Sequence, residues 1–267
     1  MDFSGKVALI TGGGGGIGIA ACLGFAKRGA KVVVVDYDVA LGQAAADAVM
    51  AAGGEAIFVR ADVSKSAEVQ GYVKAAVEAY GRIDCFFNNA GIEGKVVPIT
   101  EMDEAVWHAV IGVNLTGVFL GLKYVLPVMI KQESGTVVNT ASTAALFGGP
   151  GMAAYVASKH GVAGITKVTS AEVARYGVRI NAICPGPVET RMMRSLESQR
   201  NPTDPEAVHT ANAAGMPTGR YTYPEEVANA VMYLCSDLSS NITGTQLVID
   251  SGRSATGGAA IAPRRNN

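Results

Sequence analysis

The chain has 267 residues, of which 49% are apolar and 17% charged, and its formal net charge is −1. That size and balance suit a large packed core, and the near-neutral charge offers nothing to hold nucleic acid or an anionic membrane. No stretch approaches the ~20 uninterrupted apolar residues of a membrane span, and residues 1–6 lead at once into a strand-like run, so a cytoplasmic protein is expected.

In chain order, β-branched apolar runs occupy residues 6–11, 31–36, 56–62, 83–88, 136–140, 178–184 and 246–250. Several are continuous apolar strings, the pattern of parallel strands covered on both faces. Segments with helical periodicity lie between them, at 17–28, 65–80, 102–130, 155–176 and 224–235. The 102–130 segment contains Gly112, Gly117 and Gly121, which invite a break, and Pro127, which should bend its end. Alternation of this kind predicts an α/β fold, a doubly wound and mainly parallel sheet with helices on both faces, as a single domain over 1–252. Residues 189–223, with Pro202, Pro205 and Pro217, lack clear periodicity and read as a long loop of the kind used as a substrate lid. The tail 253–267 reads as a frayed end or an arm lying on another subunit.

The first turn raises the sharpest question. Ile10-Thr11 is followed by five consecutive glycines, Gly12 to Gly16, and then Ile17-Gly18. Glycines 13, 15 and 18 fit G-x-G-x-x-G, whereas Thr11, Gly12, Gly16 and Gly18 fit T-G-x-x-x-G-x-G. In either register the run joins a strand to a helix, where a pyrophosphate approaches the backbone and the helix N-terminus. Asp36 ends the second apolar run, eighteen residues after Gly18. A carboxylate there accepts from both hydroxyls of an adenosine ribose and repels a 2′-phosphate. Gly15 and Tyr37 bring no positive charge beside it, so NAD is expected rather than NADP.

Tyr155-Val156-Ala157-Ser158-Lys159 sets a phenol and an amine one helical turn apart. At ~5 Å and an effective dielectric of ~20, the ammonium stabilises a phenolate by roughly 3 kcal/mol, about two pKa units. That brings Tyr155 towards working range as a proton donor or acceptor. Ser142 closes the fifth apolar run at the carboxyl edge of the sheet, where it can hold a substrate oxygen. Asn114 sits in an otherwise apolar helix, either as a functional group or satisfying nearby backbone. The four cysteines form no C-x-x-C pair and the three histidines no ligand spacing, so no metal is expected.

Together these motifs resemble the short-chain dehydrogenase/reductase family over nearly the whole chain, to about Gly252. The resemblance favours the T-G-x-x-x-G-x-G register, with Gly12, Gly16, Ile17 and Gly18 at the cofactor, and implies a Rossmann fold. It implies that Asp62 and Val63 meet the adenine and that Asn88-Asn89-Ala90-Gly91 lines the cofactor. Pro185, Gly186, Val188 and Thr190 would face the nicotinamide. The catalytic set it implies is Asn114, Ser142, Tyr155 and Lys159. In it, Tyr155 exchanges a proton with the substrate oxygen and Ser142 polarises it. Lys159 binds the nicotinamide ribose, and Asn114 holds a relay water.

Ala144, Met152, Met192 and Met193 are expected to join Ser142 and Tyr155 around the substrate, with Leu196 and Met216 nearby and Glu93 or His209 as polar contacts. The mostly apolar wall suits a hydrophobic or cyclic secondary alcohol or ketone as the small-molecule partner. The alternatives are a cyclic diol or hydroxysteroid dehydrogenase, a 3-oxoacyl reductase, and, outside catalysis, a nicotinamide-sensing regulator. The family resemblance implies a homotetramer.

Overall fold

The β-branched runs become seven strands because Val and Ile side chains pack well on a pleated surface buried on both sides. They are β1 (Val7–Thr11), β2 (Lys31–Asp36), β3 (Glu55–Arg60), β4 (Cys85–Asn88), β5 (Gly135–Thr140), β6 (Val178–Pro185) and β7 (Gln246–Ile249). The computed structural model describes residues 1–256. Its sheet runs β3-β2-β1-β4-β5-β6-β7 with every neighbouring pair parallel. Side chains alternate between two cores. Val7 and Leu9 point to one, which holds α3 (Ser66–Tyr80), α5 (Gly117–Gln132) and α6 (Ala153–Val173). Ala8 and Ile10 point to the other, which holds α1 (Gly16–Ala26), α2 (Val39–Ala51) and α9 (Pro224–Cys235). Strand order reverses between β1 and β4, and the crevice outside the carboxyl ends at that point is where such sheets bind ligands.

Several boundaries differ from the sequence reading. Helix α2 was not foreseen. Its run of alanines carries no strong apolar period, yet Asp38 caps it by accepting from Leu41 N at 3.1 Å. β3 ends at Arg60 rather than at residue 62, because Asp62 turns to accept from the Ser64 amide and hydroxyl at 2.9 and 2.7 Å.

The 102–130 segment is one helical run, Glu104–Gln132, in which α4 (Glu104–Ile111) joins α5 through a π turn at Gly112–Thr116. The glycines thus mark a widened turn, not a break, and the helix continues past Pro127 to Gln132. By length and composition this run is apolar enough to cross a membrane, contrary to expectation. Half of its apolar window is buried instead. At Gly121 an added Cβ would lie 2.8 Å from the Phe86 ring, so β4 packs directly onto the helix backbone.

The expected lid loop also carries helices, α7 (Arg191–Arg200) and α8 (Pro205–Ala214). Their start signals were in the sequence. Thr190 caps α7 and Asp204, just before Pro205, caps α8. Of the expected tail, Ser254–Thr256 forms a short 3-10 turn, and residues 257–267 lie outside the described residues.

Candidate functional site

The carboxyl ends of β1, β4 and β5 are laced together by side chains. The Thr11 hydroxyl accepts from Asn89 N at 2.9 Å and Ala90 N at 3.1 Å. Asn89 Nδ2 returns a bond to Thr11 O at 3.1 Å, and Thr140 Oγ1 donates to Asn89 Oδ1 at 3.1 Å. One layer deeper, Asn88 Nδ2 reaches Asn139 Oδ1 at 3.2 Å, and Asn139 Nδ2 reaches the Thr166 hydroxyl of α6 at 2.9 Å. The threonines and asparagines of these apolar strands are therefore the joints that hold the strand tips in register.

The glycines divide into two groups. Gly12 adopts φ +64, which favours glycine, and a Cβ on Gly18 would run into the Gly12 backbone. Gly13 and Gly14 serve packing, since a Cβ on either would lie 2.7 Å from Val34 or Leu41. Gly12, Gly15, Gly16 and Gly18 line the open side, with Ile17. A Cβ on Gly16 would come within 3.0 Å of Thr190, so the turn and the start of α7 face each other closely. Five glycines are present because the turn is squeezed from both sides.

That open side belongs to a cavity of about 1180 Å³. It runs past Asp36, Asp62 and Val63, past Asn89, Ala90 and Gly91, to Pro185, Gly186, Val188 and Thr190. Ser142, Ala144, Met152, Tyr155, Lys159, Met192 and Met193 line its other part. Of the four catalytic residues picked from sequence, Asn114 alone does not line it. Its side chain is fully buried and clamps the chain after the glycine of the Asn-Asn-Ala-Gly turn. Oδ1 accepts from Ile92 N at 2.8 Å, while Nδ2 donates to Ile92 O at 2.9 Å and to the Ser158 hydroxyl at 3.2 Å. Asn114 thus satisfies nearby backbone, one of the two roles left open for it.

Asp36 is held in place by Gly14 N at 2.9 Å and Asp38 N at 3.0 Å, one donor to each oxygen. Each oxygen keeps acceptor capacity towards the cavity. The local charge is less simple than the sequence suggested. Arg60 pairs with Asp36 across the strand ladder, and its guanidinium lies 4.7 Å from the Tyr37 ring. That cation is already committed to Glu68 at 2.6 Å.

Tyr155 lies in the first turn of α6 and Lys159 one turn on, with Nζ 5.5 Å from the phenol ring centre. The amine donates to Thr140 O at 2.7 Å. Burial lowers the Lys159 pKa to about 8. The Tyr155 phenol moves the opposite way from the sequence reading. Burial raises it above its ordinary value, the Ser142 hydroxyl beside it opposes that rise, and the Glu93 carboxylate adds to it. Desolvation of both groups outweighs the pull of the ammonium on the phenol. Ser142 also accepts from Ala144 N at 3.1 Å, which fixes its hydroxyl at the strand end.

The lid side of the cavity is lined by Met192, Met193 and Leu196, but also by Arg191, Ser195, Arg200 and Asn212. These polar residues were missed because 189–223 was read as loop, and a helix face cannot be assigned without the helix. Met216 is buried and does not line the cavity, nor does His209. His209 instead faces Glu197 at 3.2 Å and Glu189 at 3.4 Å. Glu197, 1% exposed, also accepts from the Tyr221 hydroxyl at 2.8 Å and pairs with Arg194 at 3.2 Å. This cluster fastens α7 to the body. Among the described residues no group of histidines, cysteines and carboxylates suits a metal.

A parallel doubly wound sheet, a glycine turn opening α1 and a Ser-Tyr-Lys set in one crevice define a nucleotide-dependent oxidoreductase architecture. A family model described as enoyl-(acyl carrier protein) reductase matches residues 13–254, and the chain belongs to the short-chain dehydrogenase/reductase family of oxidoreductases. It is 43% identical to levodione reductase of Leifsonia aquatica over 255 residues, covering 95% of this chain and 96% of that protein. The crystal structure of levodione reductase superposes with a TM-score of 0.93, covering 95% of this chain and 99% of that one. Cyclohexanol dehydrogenase of Acinetobacter sp. (strain SE19) is 39% identical over 248 residues, 93% of this chain and 94% of that protein. An NAD+-bound xylitol dehydrogenase structure matches at 35% identity with a TM-score of 0.89, covering 94% of this chain and all of that one.

Proposed function

We propose that this protein is an NAD(H)-dependent oxidoreductase that interconverts a cyclic secondary alcohol and its ketone. The observation that carries the reading is the meeting of Ser142, Tyr155 and Lys159 on the same cavity as the glycine turn and Asp36. The names of two relatives, levodione reductase and cyclohexanol dehydrogenase, support a cyclic substrate.

The chain's groups fit a dinucleotide. Gly12, Gly15, Gly16 and Gly18 present bare backbone to the cavity, α1 supplies its free N–H groups, and Asp36 retains acceptors for a ribose diol. When bound, the nicotinamide supplies or accepts the hydride. Tyr155 then gives a proton to the carbonyl oxygen in reduction and takes it back in oxidation. The Ser142 hydroxyl donates to that oxygen and favours the charge that develops on it. Lys159, held by Thr140 O, places its ammonium where a nicotinamide ribose would pass and restrains the phenol. Asn114 acts as a positioning residue through Ile92 and Ser158. Ala144, Phe147, Met152, Met192, Met193 and Leu196 exclude water from the reacting carbon.

Initial rates with NADH on cyclohexanone, a cyclic 1,4-dione and a 3-oxoacyl thioester test the substrate class. Fastest turnover on the thioester moves the assignment to a 3-oxoacyl reductase, and no NADH oxidation with any ketone favours a nicotinamide-sensing regulator. A fluorescence titration tests the cofactor. NADH is expected to bind more tightly than NADPH, and Asp36→Asn to narrow that preference about tenfold by removing one like charge. A native preference for NADPH overturns the choice of NAD. We also propose a homotetramer assembled through α5 and α6, where Phe119 and Val168 stand 45% and 58% exposed. Light scattering at a monomer's mass contradicts it.

A further inference from the structure

Helix α7 carries three arginines, and they are not equivalent. Arg194 is spent on Glu189, Glu197 and Glu206, at 3.6, 3.2 and 3.3 Å. Arg191 and Arg200 both line the cavity, and among the described residues neither makes a hydrogen bond or an ion pair. They stand at opposite ends of the helix. Arg191 follows Thr190, which packs against the glycine turn, so it sits beside the cofactor half. Arg200 is at the far end, on the substrate half.

The position of Arg200 is fixed by its neighbour. Gln199 Oε1 accepts from Val96 N at 2.9 Å and its Nε2 donates to Gly94 O at 3.2 Å. The segment after β4 is thereby tied to the end of α7. Val97 N in turn bonds Gly151 O at 3.0 Å, closing the wall that leads to Met152 and Tyr155. The far end of the substrate half is thus lined by Arg200, whose side chain has no partner among the described residues, opposite an apolar wall that ends at Tyr155 and Ser142.

We propose that Arg200 is an anion subsite, and that the substrate is a cyclic or chain ketone bearing a carboxylate at the end remote from the reacting carbon. This rests on the oxidoreductase reading above and narrows it from hydrophobic ketones to keto acids. A planar guanidinium takes a carboxylate bidentately, which a neutral carbonyl cannot match. Glu93, facing Tyr155, keeps that anion away from the reaction centre and towards the mouth.

The test separates binding from turnover. Calorimetry of the full chain saturated with NADH compares cyclohexanecarboxylate with cyclohexanecarboxamide, neither of which can be reduced at a ring ketone. The carboxylate is expected to bind about tenfold more tightly, the low end for a charge-assisted contact because Arg200 is exposed. Arg200→Gln should bring the two affinities together, Arg200→Lys should restore part of the difference, and raised salt should shrink it. Arg200 also sits in the last turn of α7, where it favours the helix dipole; loss of that role alone weakens both ligands equally. Equal affinities in the native protein, no carboxylate binding, or a preference that survives Arg200→Gln each overturns the proposal. Rates on 4-oxocyclohexanecarboxylate and cyclohexanone complete the separation. A carboxylate preference in binding without turnover of any ketone refutes the oxidoreductase reading and leaves the subsite standing. Turnover without the preference does the reverse.

Discussion

At the scale of single residues, Lys159 meets two opposing demands. It is 3% exposed, which disfavours its charge, yet its proposed role needs the ammonium. With its pKa lowered to about 8 by burial, the free enzyme loses that charge in the alkaline range. The value of kcat/KM for NADH, which reports the free enzyme, is therefore expected to fall as pH rises through about 8. Lys159→Arg should remove that limb, and a flat profile in the native protein contradicts the role. Stability follows the same group with its own sign. Between about 8 and 10.5 the unfolded chain keeps this proton while the folded protein has released it. The unliganded protein should thus gain stability across that window, by a few kcal/mol at most from this group, as urea midpoints measured at both limits would reveal. Tyr155 has the complementary problem, a phenol raised by burial. Its replacement by Phe removes one oxygen and should cut turnover by roughly 10²–10⁴, with NADH affinity changed less than about twofold, a difference within that of a lost weak contact. Retained activity in stopped-flow assays would exclude proton transfer by Tyr155.

At the scale of elements, the strands were legible because seven β-branched runs suit a sheet packed on both faces. β1 and β2 read directly from Val7–Thr11 and Lys31–Asp36. Helices α7 and α8 were not legible by periodicity, since α7 buries Glu197 beneath the exposed Arg194 and so breaks the apolar stripe. That Asp36, Ser142, Tyr155 and Lys159 would share a crevice with the glycine turn was legible, because a strand-to-turn-to-helix junction leaves few choices for where glycines and a strand-end carboxylate can lie. The direction of the Tyr155 pKa was not, because desolvation depends on everything packed around the pair. Asn114 shows the same limit: its oddness in an apolar helix was visible, but Ile92, its partner, was not. Asn114→Ala leaves the Ile92 amide and carbonyl without partners at about 1–3 kcal/mol. Thermal unfolding should then shift down by roughly 3–10 °C for a chain of this size. A variant with native Tm and lowered activity would instead assign Asn114 a direct part in the chemistry.

At the scale of the whole molecule, one cavity reaches from Asp36 near β3 to Arg200 on the lid, so a bound dinucleotide would touch both halves of the sheet. Coenzyme should accordingly stabilise the protein as a unit. At a hundred times its Kd, NADH contributes about 2.7 kcal/mol, a rise in Tm of roughly 5–10 °C. The shift should appear as one transition in calorimetry, and a shifted fraction beside an unshifted one would mean that lid and sheet unfold separately.

The bonds from Thr11 to Asn89 and Ala90 tie together points 78 and 79 residues apart in the chain. The nucleotide turn, though written in the first eighteen residues, acquires its shape only when β4 arrives. A ribosome must therefore release about a third of the polypeptide before any coenzyme can dock, and a fragment halted ahead of Asn89 should emerge blind to adenosine despite carrying every glycine of the turn.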